Sequence, residues 1–121
     1  MVLSRRWKHA LLTLAIVLTG SQLLFAHAIL VDSSPKQNST VTGPDVDITL
    51  RYNVRIDGGR SRVALVAADG TKSDLKLDQQ SQPDILKGKA GGLKPGTYKL
   101  EWHVLASDGH MSKGEVSFTV Q

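Results

Sequence analysis

Three side chains near the two ends of the sequence are able to bind one metal ion together. His27 lies towards the amino terminus, and the triplet Asp108-Gly109-His110 lies close to the last residue. The glycine lets the backbone bend, and in an extended segment the carboxylate and the imidazole two residues apart point the same way. Asp-Gly is also common in ordinary β-turns. The triplet alone therefore fits either a metal site or a plain turn.

The position of His27 favours the metal site if this residue begins the processed chain. A first-residue histidine offers a free α-amine and a ring nitrogen, which chelate an ion together. Both kinds of group lose their protons near neutral pH, so binding costs little there. With Asp108 and His110 the donors become three nitrogens and one oxygen. Such a nitrogen-rich tetragonal set suits Cu(II) best among the first-row divalent ions, with zinc as the competitor.

Residues 1–26 have the organisation of a secretory signal peptide. Arg5, Arg6 and Lys8 precede an apolar run over residues 10–18, and a second apolar stretch follows over residues 23–26. Polar residues interrupt the hydrophobic region, which falls short of the roughly 20 apolar residues of a membrane span. We expect export to the periplasm, no stable membrane anchor, and a mature domain of residues 27–121.

Two cleavage positions compete at the end of this segment. A cut after Ala26 makes His27 the first residue but leaves Leu24 at the −3 position. Ala26-His27-Ala28 is itself a small-x-small site, and a cut after Ala28 removes His27. Sequence rules alone slightly favour the second cut, whereas the proposed metal site requires the first.

Composition narrows the classes of partner. The 121 residues contain 15 Lys and Arg against 11 Asp and Glu, a net charge of +4. Three of the basic residues and none of the acidic ones lie in residues 1–26, so residues 27–121 have 12 against 11, a net charge of +1. The nucleic-acid partner that a basic protein suggests is therefore not expected. The absence of cysteine excludes disulfides, thiolate metal sites and a cysteine nucleophile.

The sequence after residue 26 predicts strands. Val46–Tyr52 alternates apolar and polar residues, residues 62–67 form a short apolar run, and residues 72–77 and 114–120 alternate again. Turn residues separate these segments, including Asp57-Gly58-Gly59. The pattern predicts a single all-β domain, an immunoglobulin-like antiparallel β-sandwich with Greek-key connections and about seven strands.

One segment resembles the tyrosine corner of immunoglobulin-like domains. Tyr98 enters a strand directly after a Pro-Gly turn, so its hydroxyl is expected to cap the backbone upstream. Alternation along this strand places Leu100, Trp102 and Val104 in the core. His103 then faces the opposite side, where we expect a solvated residue and not a metal ligand.

These motifs together resemble the CopC family of bacterial periplasmic copper-resistance proteins. Residues 27–35 resemble the family's amino terminus, and residues 96–102, 107–110 and 114–118 resemble its carboxyl-terminal half. The resemblance covers essentially the whole mature domain. It implies a periplasmic Cu(II) carrier or buffer in copper homeostasis, resistance or uptake, with a membrane copper transporter as a partner. We expect a monomer.

The resemblance also implies a ligand set of one Cu(II) ion per chain, bound by the amine and ring of His27 with Asp108 and His110. It supports cleavage after Ala26. Some similar members have a second, methionine-rich Cu(I) site, but Met111 is the one methionine after residue 26, so no such site is expected. Others have an acidic residue where this chain has Tyr52-Asn53-Val54, and Val54 supplies no donor.

Two alternatives to a copper carrier remain open. A copper-dependent oxidative enzyme is one, since lytic polysaccharide monooxygenases also begin with a histidine. Against it, Asp108 would fill a position that oxygen chemistry needs, and the domain offers little surface for a polysaccharide. The other is a metal-free immunoglobulin-like structural module. We rank the copper carrier first and expect no enzymatic activity.

Overall fold

The structure is a computed structural model that describes residues 27–121. The predicted signal peptide, residues 1–26, lies outside the described residues. No helix between residues 27 and 121 has the length and hydropathy needed to cross a membrane. The strands are β1 (Leu30–Ser34), β2 (Ser39–Val41), β3 (Val46–Tyr52), β4 (Ile56–Ala67), β5 (Lys72–Asp74), β6 (Ile85–Ala90), β7 (Gly96–Ala106) and β8 (Met111–Val120).

The strands form two sheets. One has three strands in the order β1-β3-β6, and the other has five in the order β2-β8-β7-β4-β5. Neighbouring strands are antiparallel except for the short edge strand β2, which runs parallel to β8. The predicted all-β sandwich is confirmed, with eight strands where about seven were expected.

Alternation along the strands produces the core. In β3 the residues at alternate positions from Val46 to Tyr52 are buried, and the others point outwards. In β7 the predicted core residues Leu100, Trp102 and Val104 are all buried, with Leu100 and Val104 at 0 % exposure. Each fully buried side chain of this size stabilises the fold by about 1.5–3 kcal/mol. The core therefore fixes the positions of both sheets.

The tyrosine corner is confirmed. The Tyr98 hydroxyl donates a hydrogen bond to the carbonyl of Lys94 at 2.7 Å, and the Tyr98 ring stacks on Phe118 with centroids 5.8 Å apart. This contact anchors the first residues of β7. The last residue of the same strand, Ala106, lies two positions before Asp108, so β7 connects the anchored end of the sandwich to the candidate site.

Strand β4 differs from the sequence prediction. It begins at Ile56 and continues through Asp57-Gly58-Gly59, where a turn was predicted, and its register with β7 shifts between Asp57 and Arg62. The Ser61 hydroxyl donates to the Asp57 carbonyl at 2.6 Å and accepts from the Leu105 N–H at 3.0 Å. These bonds satisfy backbone groups within the irregular segment, so the strand continues as a bulge.

Two strand boundaries also differ. The run predicted over residues 72–77 is a strand only over Lys72–Asp74, after which Leu77 makes an isolated bridge to Gly88. Strand β8 begins at Met111, before the predicted start at residue 114. The earlier start matters for the site because β8 continues directly from His110.

Candidate metal site

The turn between β7 and β8 carries two of the three predicted ligands. The Gly109 N–H donates to the Ala106 carbonyl, and the Ala106 N–H donates to the His110 carbonyl, each at 2.9 Å. Gly109 has φ +91°, in the left-handed region that favours glycine. The triplet is therefore a turn, as one interpretation had it. The same turn holds Asp108 and His110 side by side, so the two interpretations are compatible.

Asp108 and His110 are in direct contact. The Asp108 Oδ1 atom accepts a hydrogen bond from the His110 backbone N–H at 3.1 Å and lies 3.3 Å from Nδ1 of the His110 ring. The bond from the backbone N–H is the main cause that lowers the pKa of Asp108; desolvation opposes it, and the His110 ring adds to the lowering. The carboxylate therefore stays ionised at neutral pH. Both side chains are accessible to solvent, and hence to an incoming ion.

The amino-terminal arm, defined as residues 27–29, brings the third predicted ligand to this turn. The rings of His27 and His110 have centroids 6.1 Å apart and planes at 70°. Metal–imidazole bonds are about 2.0–2.1 Å long, as for zinc, so two rings at this separation are within range of one shared ion once a nitrogen of each ring faces it. The structure thus brings His27, Asp108 and His110 to one end of the sandwich.

Side chains alone do not complete a metal site. Across residues 27–121 no three His, Cys, Asp or Glu side chains are arranged so that they could hold a metal ion. The additional donor that the sequence analysis expects is the α-amine of His27, which is a backbone group and exists only after cleavage at Ala26. The donors present fit a copper ion on the condition that the chain begins at His27.

His103 lies elsewhere, as predicted. It is half-buried on the outer face of the five-stranded sheet, directly opposite Lys113 of β8. Its neighbours on that face include Glu101, whose carboxylate lies 2.8 Å from the Lys72 ammonium. This ion pair lowers the pKa of Glu101, chiefly through the hydrogen bond from Lys72. The His103 surface is therefore a solvated, charge-paired face, away from the candidate ligands.

Two residues that were not predicted from the sequence contact the arm. The Ser112 hydroxyl accepts a hydrogen bond from the Ala28 N–H at 3.1 Å, and Asn53 Oδ1 accepts one from the Ile29 N–H at 2.7 Å. Asn53 lies in the segment noted above for its missing acidic residue, and its neighbour Val54 packs against the core. The sequence gives no specific signal for either residue, because serine and asparagine side chains accept backbone N–H bonds at many surface positions.

Fold and site together define a class: an immunoglobulin-like β-sandwich with a nitrogen-rich candidate metal site at one end. Comparison with known proteins identifies the family. The CopC domain family matches residues 30–121. The chain is 33% identical over 124 residues to protein YobA of Escherichia coli K12, and the alignment covers 98% of this chain and 95% of YobA. The chain belongs to the CopC family.

Two further comparisons agree. The chain is 32% identical over 111 residues to copper resistance protein C of Xanthomonas campestris pv. juglandis, covering 84% of this chain and 86% of that protein. The crystal structure of CopC from Methylosinus trichosporium OB3b superposes with a TM-score of 0.73 at 29% identity, covering 78% of this chain and 94% of that one. Sequence and fold thus place the chain in the same family, one that includes copper-resistance proteins.

Proposed function

We propose that this protein is a periplasmic Cu(II)-binding protein that binds one ion per chain and acts as a copper carrier or buffer. The observation that carries the proposal is the meeting of the two ends of the domain, where the His27 and His110 rings lie 6.1 Å apart beside Asp108. Membership of the CopC family supports copper as the ion. Delivery to a membrane copper transporter by a monomeric carrier, as the family resemblance implies, is part of the same proposal.

Each ligand has a distinct role. His27 supplies its α-amine and one ring nitrogen, and His110 supplies a third nitrogen. Asp108 supplies an oxygen whose negative charge offsets the charge of the ion, and its lowered pKa keeps that charge in place. Nitrogen-rich tetragonal sets favour Cu(II) over the other first-row divalent ions. The proposed site therefore stores the oxidised form of copper.

The burial of Ala28 supports processing after Ala26. Ala28 is 5 % exposed and belongs to the hydrophobic core, and its N–H is bonded to Ser112. A cut after Ala28 would remove a core residue and this hydrogen bond together with His27. Cleavage after Ala26 preserves all three, and it generates the amine that the copper site needs.

The proposal is tested on the exported, processed protein. Intact mass with and without one equivalent of Cu(II) gives the first residue and the stoichiometry, and competition with a chromophoric chelator gives the affinity. Changes around metal ligands already cost about 10–100-fold in affinity, so loss of a direct ligand in His110→Ala should cost more than about 100-fold. His103→Ala is the matched control and should bind as the wild type does.

Two results would reject the proposal. A mature chain that begins at Ile29 would lack His27 and its amine. Equal copper affinity in His110→Ala and the wild type would show that the turn between β7 and β8 is not the binding site. A loss of affinity shared by His103→Ala would instead indicate general damage to the sheet.

A further inference from the structure

The arm is held by two hydrogen bonds that reach different sheets. The Ala28 N–H donates to the hydroxyl of Ser112, which lies in β8 of the five-stranded sheet. The Ile29 N–H donates to the amide of Asn53, which follows β3 of the three-stranded sheet. Two consecutive peptide groups are therefore fixed to opposite layers of the sandwich, directly after His27.

A second hydrogen bond reinforces the contact between Ile29 and Asn53. The Asn53 N–H donates to the Ile29 carbonyl at 3.0 Å, so Asn53 binds both backbone groups of the same residue. The arm precedes β1, which begins at Leu30, and both bonded N–H groups of the arm are satisfied by side chains. At Ala28 the methyl group is also buried. The path of the arm thus depends on these two side chains and on one small core residue.

Ser112 has a direct geometric relation to the candidate ligand His110. The two residues lie two positions apart, and the register of β8 with β7 is regular from Met111 onwards. The Ser112 hydroxyl therefore fixes the position of the arm relative to β8, the strand that follows His110. Loss of the hydroxyl would leave the Ala28 N–H without its acceptor and would release the residue that precedes it.

We propose that Ser112 and Asn53 are positioning residues that hold the amine and ring of His27 against His110 before copper arrives. This inference rests on the proposed function. A preorganised arm is ordered when the protein folds, so copper binding does not have to order it. An arm without these bonds still contains every ligand, but it must be ordered by the ion itself.

The first test is Ser112→Ala in the processed protein. Loss of one hydrogen bond of this kind should weaken Cu(II) binding by about three- to tenfold. The Cu(II) electron paramagnetic resonance spectrum should broaden or shift, because the nitrogens of His27 no longer occupy one position. Ser112→Thr keeps a hydroxyl and should restore affinity and spectrum. Ser117→Ala, on the same strand but at its far half, is the matched control and should change neither.

The second test is Asn53→Ala, which removes the other acceptor and should weaken Cu(II) binding by a similar factor. Asn53→Asp keeps an acceptor oxygen for the Ile29 N–H and adds a negative charge, so it should bind Cu(II) at least as tightly as the wild type. A thermal melt of each metal-free variant gives its Tm. Copper affinity is then measured well below that temperature, where the variant is folded. If one alanine variant does not fold, the other alanine variant and Ser112→Thr decide the outcome.

The outcomes separate this inference from the function on which it rests. Wild-type affinity and spectrum in Ser112→Ala and Asn53→Ala, with loss of binding in His110→Ala, would overturn the positioning role and leave the copper site standing. Loss of affinity in Ser112→Thr as large as in Ser112→Ala would also overturn it, because the hydroxyl would not be responsible. Unchanged binding in His110→Ala would instead overturn the proposed function.

Discussion

Two histidine-bearing surfaces of the sandwich contain similar residue types and differ in how their charges are paired. One is the outer face of the five-stranded sheet, where His103 lies near Glu101 and Glu115 of neighbouring strand positions. The other is the end of the sandwich where His27 and His110 meet. By composition alone the first surface is richer in carboxylates.

Lysines neutralise the carboxylates of the first surface. The Lys72 ammonium lies 2.8 Å from Glu101, and the Lys99 ammonium lies 3.5 Å from Glu115. Lys113 lies directly opposite His103 in the sheet register. A metal ion approaching His103 would have to displace these ammonium groups and would be repelled by them. The surface stabilises its own charges and offers few free donors.

The second surface has no such competition. Within the part of the chain that the structure describes, Asp108 contacts the His110 ring, and no Lys or Arg lies within ion-pair distance of it. The candidate ligands come from the arm and from the turn between β7 and β8, far apart in sequence. The candidate metal site thus differs from the solvated His103 face in its lack of Lys partners among the described residues and in chain topology, more than in its number of histidines and acids.

The largest expected effect on the candidate metal site, with none on the His103 surface, comes from blocking the α-amine of His27. Acetylation of this amine turns its nitrogen into an amide and should weaken Cu(II) binding more than about 100-fold, since a ligand is lost outright. Chelator competition on chains prepared by the same route, with and without the acetyl group, measures the effect. Equal affinity in the two chains would show that the amine is not a ligand.

A smaller effect is expected from the charge of Asp108. Asp108→Asn keeps an oxygen that can accept from the His110 N–H and stay near the ion as a neutral, weaker ligand, so it should weaken Cu(II) binding about tenfold, less than the outright loss of a ligand. Glu115→Gln makes the same chemical change on the His103 surface and should leave the affinity unchanged. An equal loss of affinity in both variants would show that the two surfaces do not differ in their contribution to copper binding.

The smallest effect is expected at Glu101, which does not contact the candidate site. The pKa of Glu101 is lowered by Lys72, so the ion pair stabilises the folded state above the ordinary carboxyl pKa and is lost as the pH falls through the lowered value. Glu101→Gln should therefore lower the Tm slightly at neutral pH and not at all in acid, with Cu(II) affinity unchanged. Thermal melts at several pH values check this, and a Tm difference that grew in acid would contradict it.

Local rules allowed much of the fold to be predicted. The alternation of apolar and polar residues predicted both ends of β3, and the turn before Tyr98 predicted the tyrosine corner. Both features depend on residues that are neighbours in the sequence. The path of β4 through Gly58 and Gly59 could not be predicted in the same way. It depends on the bond between the Ser61 hydroxyl and the Leu105 N–H, a contact between strands that the local sequence does not contain.

The same distinction applies to the candidate site. His27, Asp108 and His110 could be selected by donor chemistry, and the structure brings them together. Ser112 and Asn53 could not, because serine and asparagine are common surface residues and their role is defined only by the backbone groups that reach them. The donor side chains of a metal site can be recognised in a sequence, whereas the residues that hold those side chains in place are defined only by the tertiary structure.

The direction of β8 has a practical consequence. The strand starts at Met111 beside the candidate ligands, and its ten residues end at Val120, whose neighbour Gln121 donates to the Val41 carbonyl. At about 3.3 Å per residue, the two ends of β8 are roughly 30 Å apart. A dye, an affinity handle or a link to an electrode joined after Gln121 would therefore leave the candidate copper site facing the solution, whereas an attachment to the α-amine of a chain that begins at His27 would block the proposed ligand.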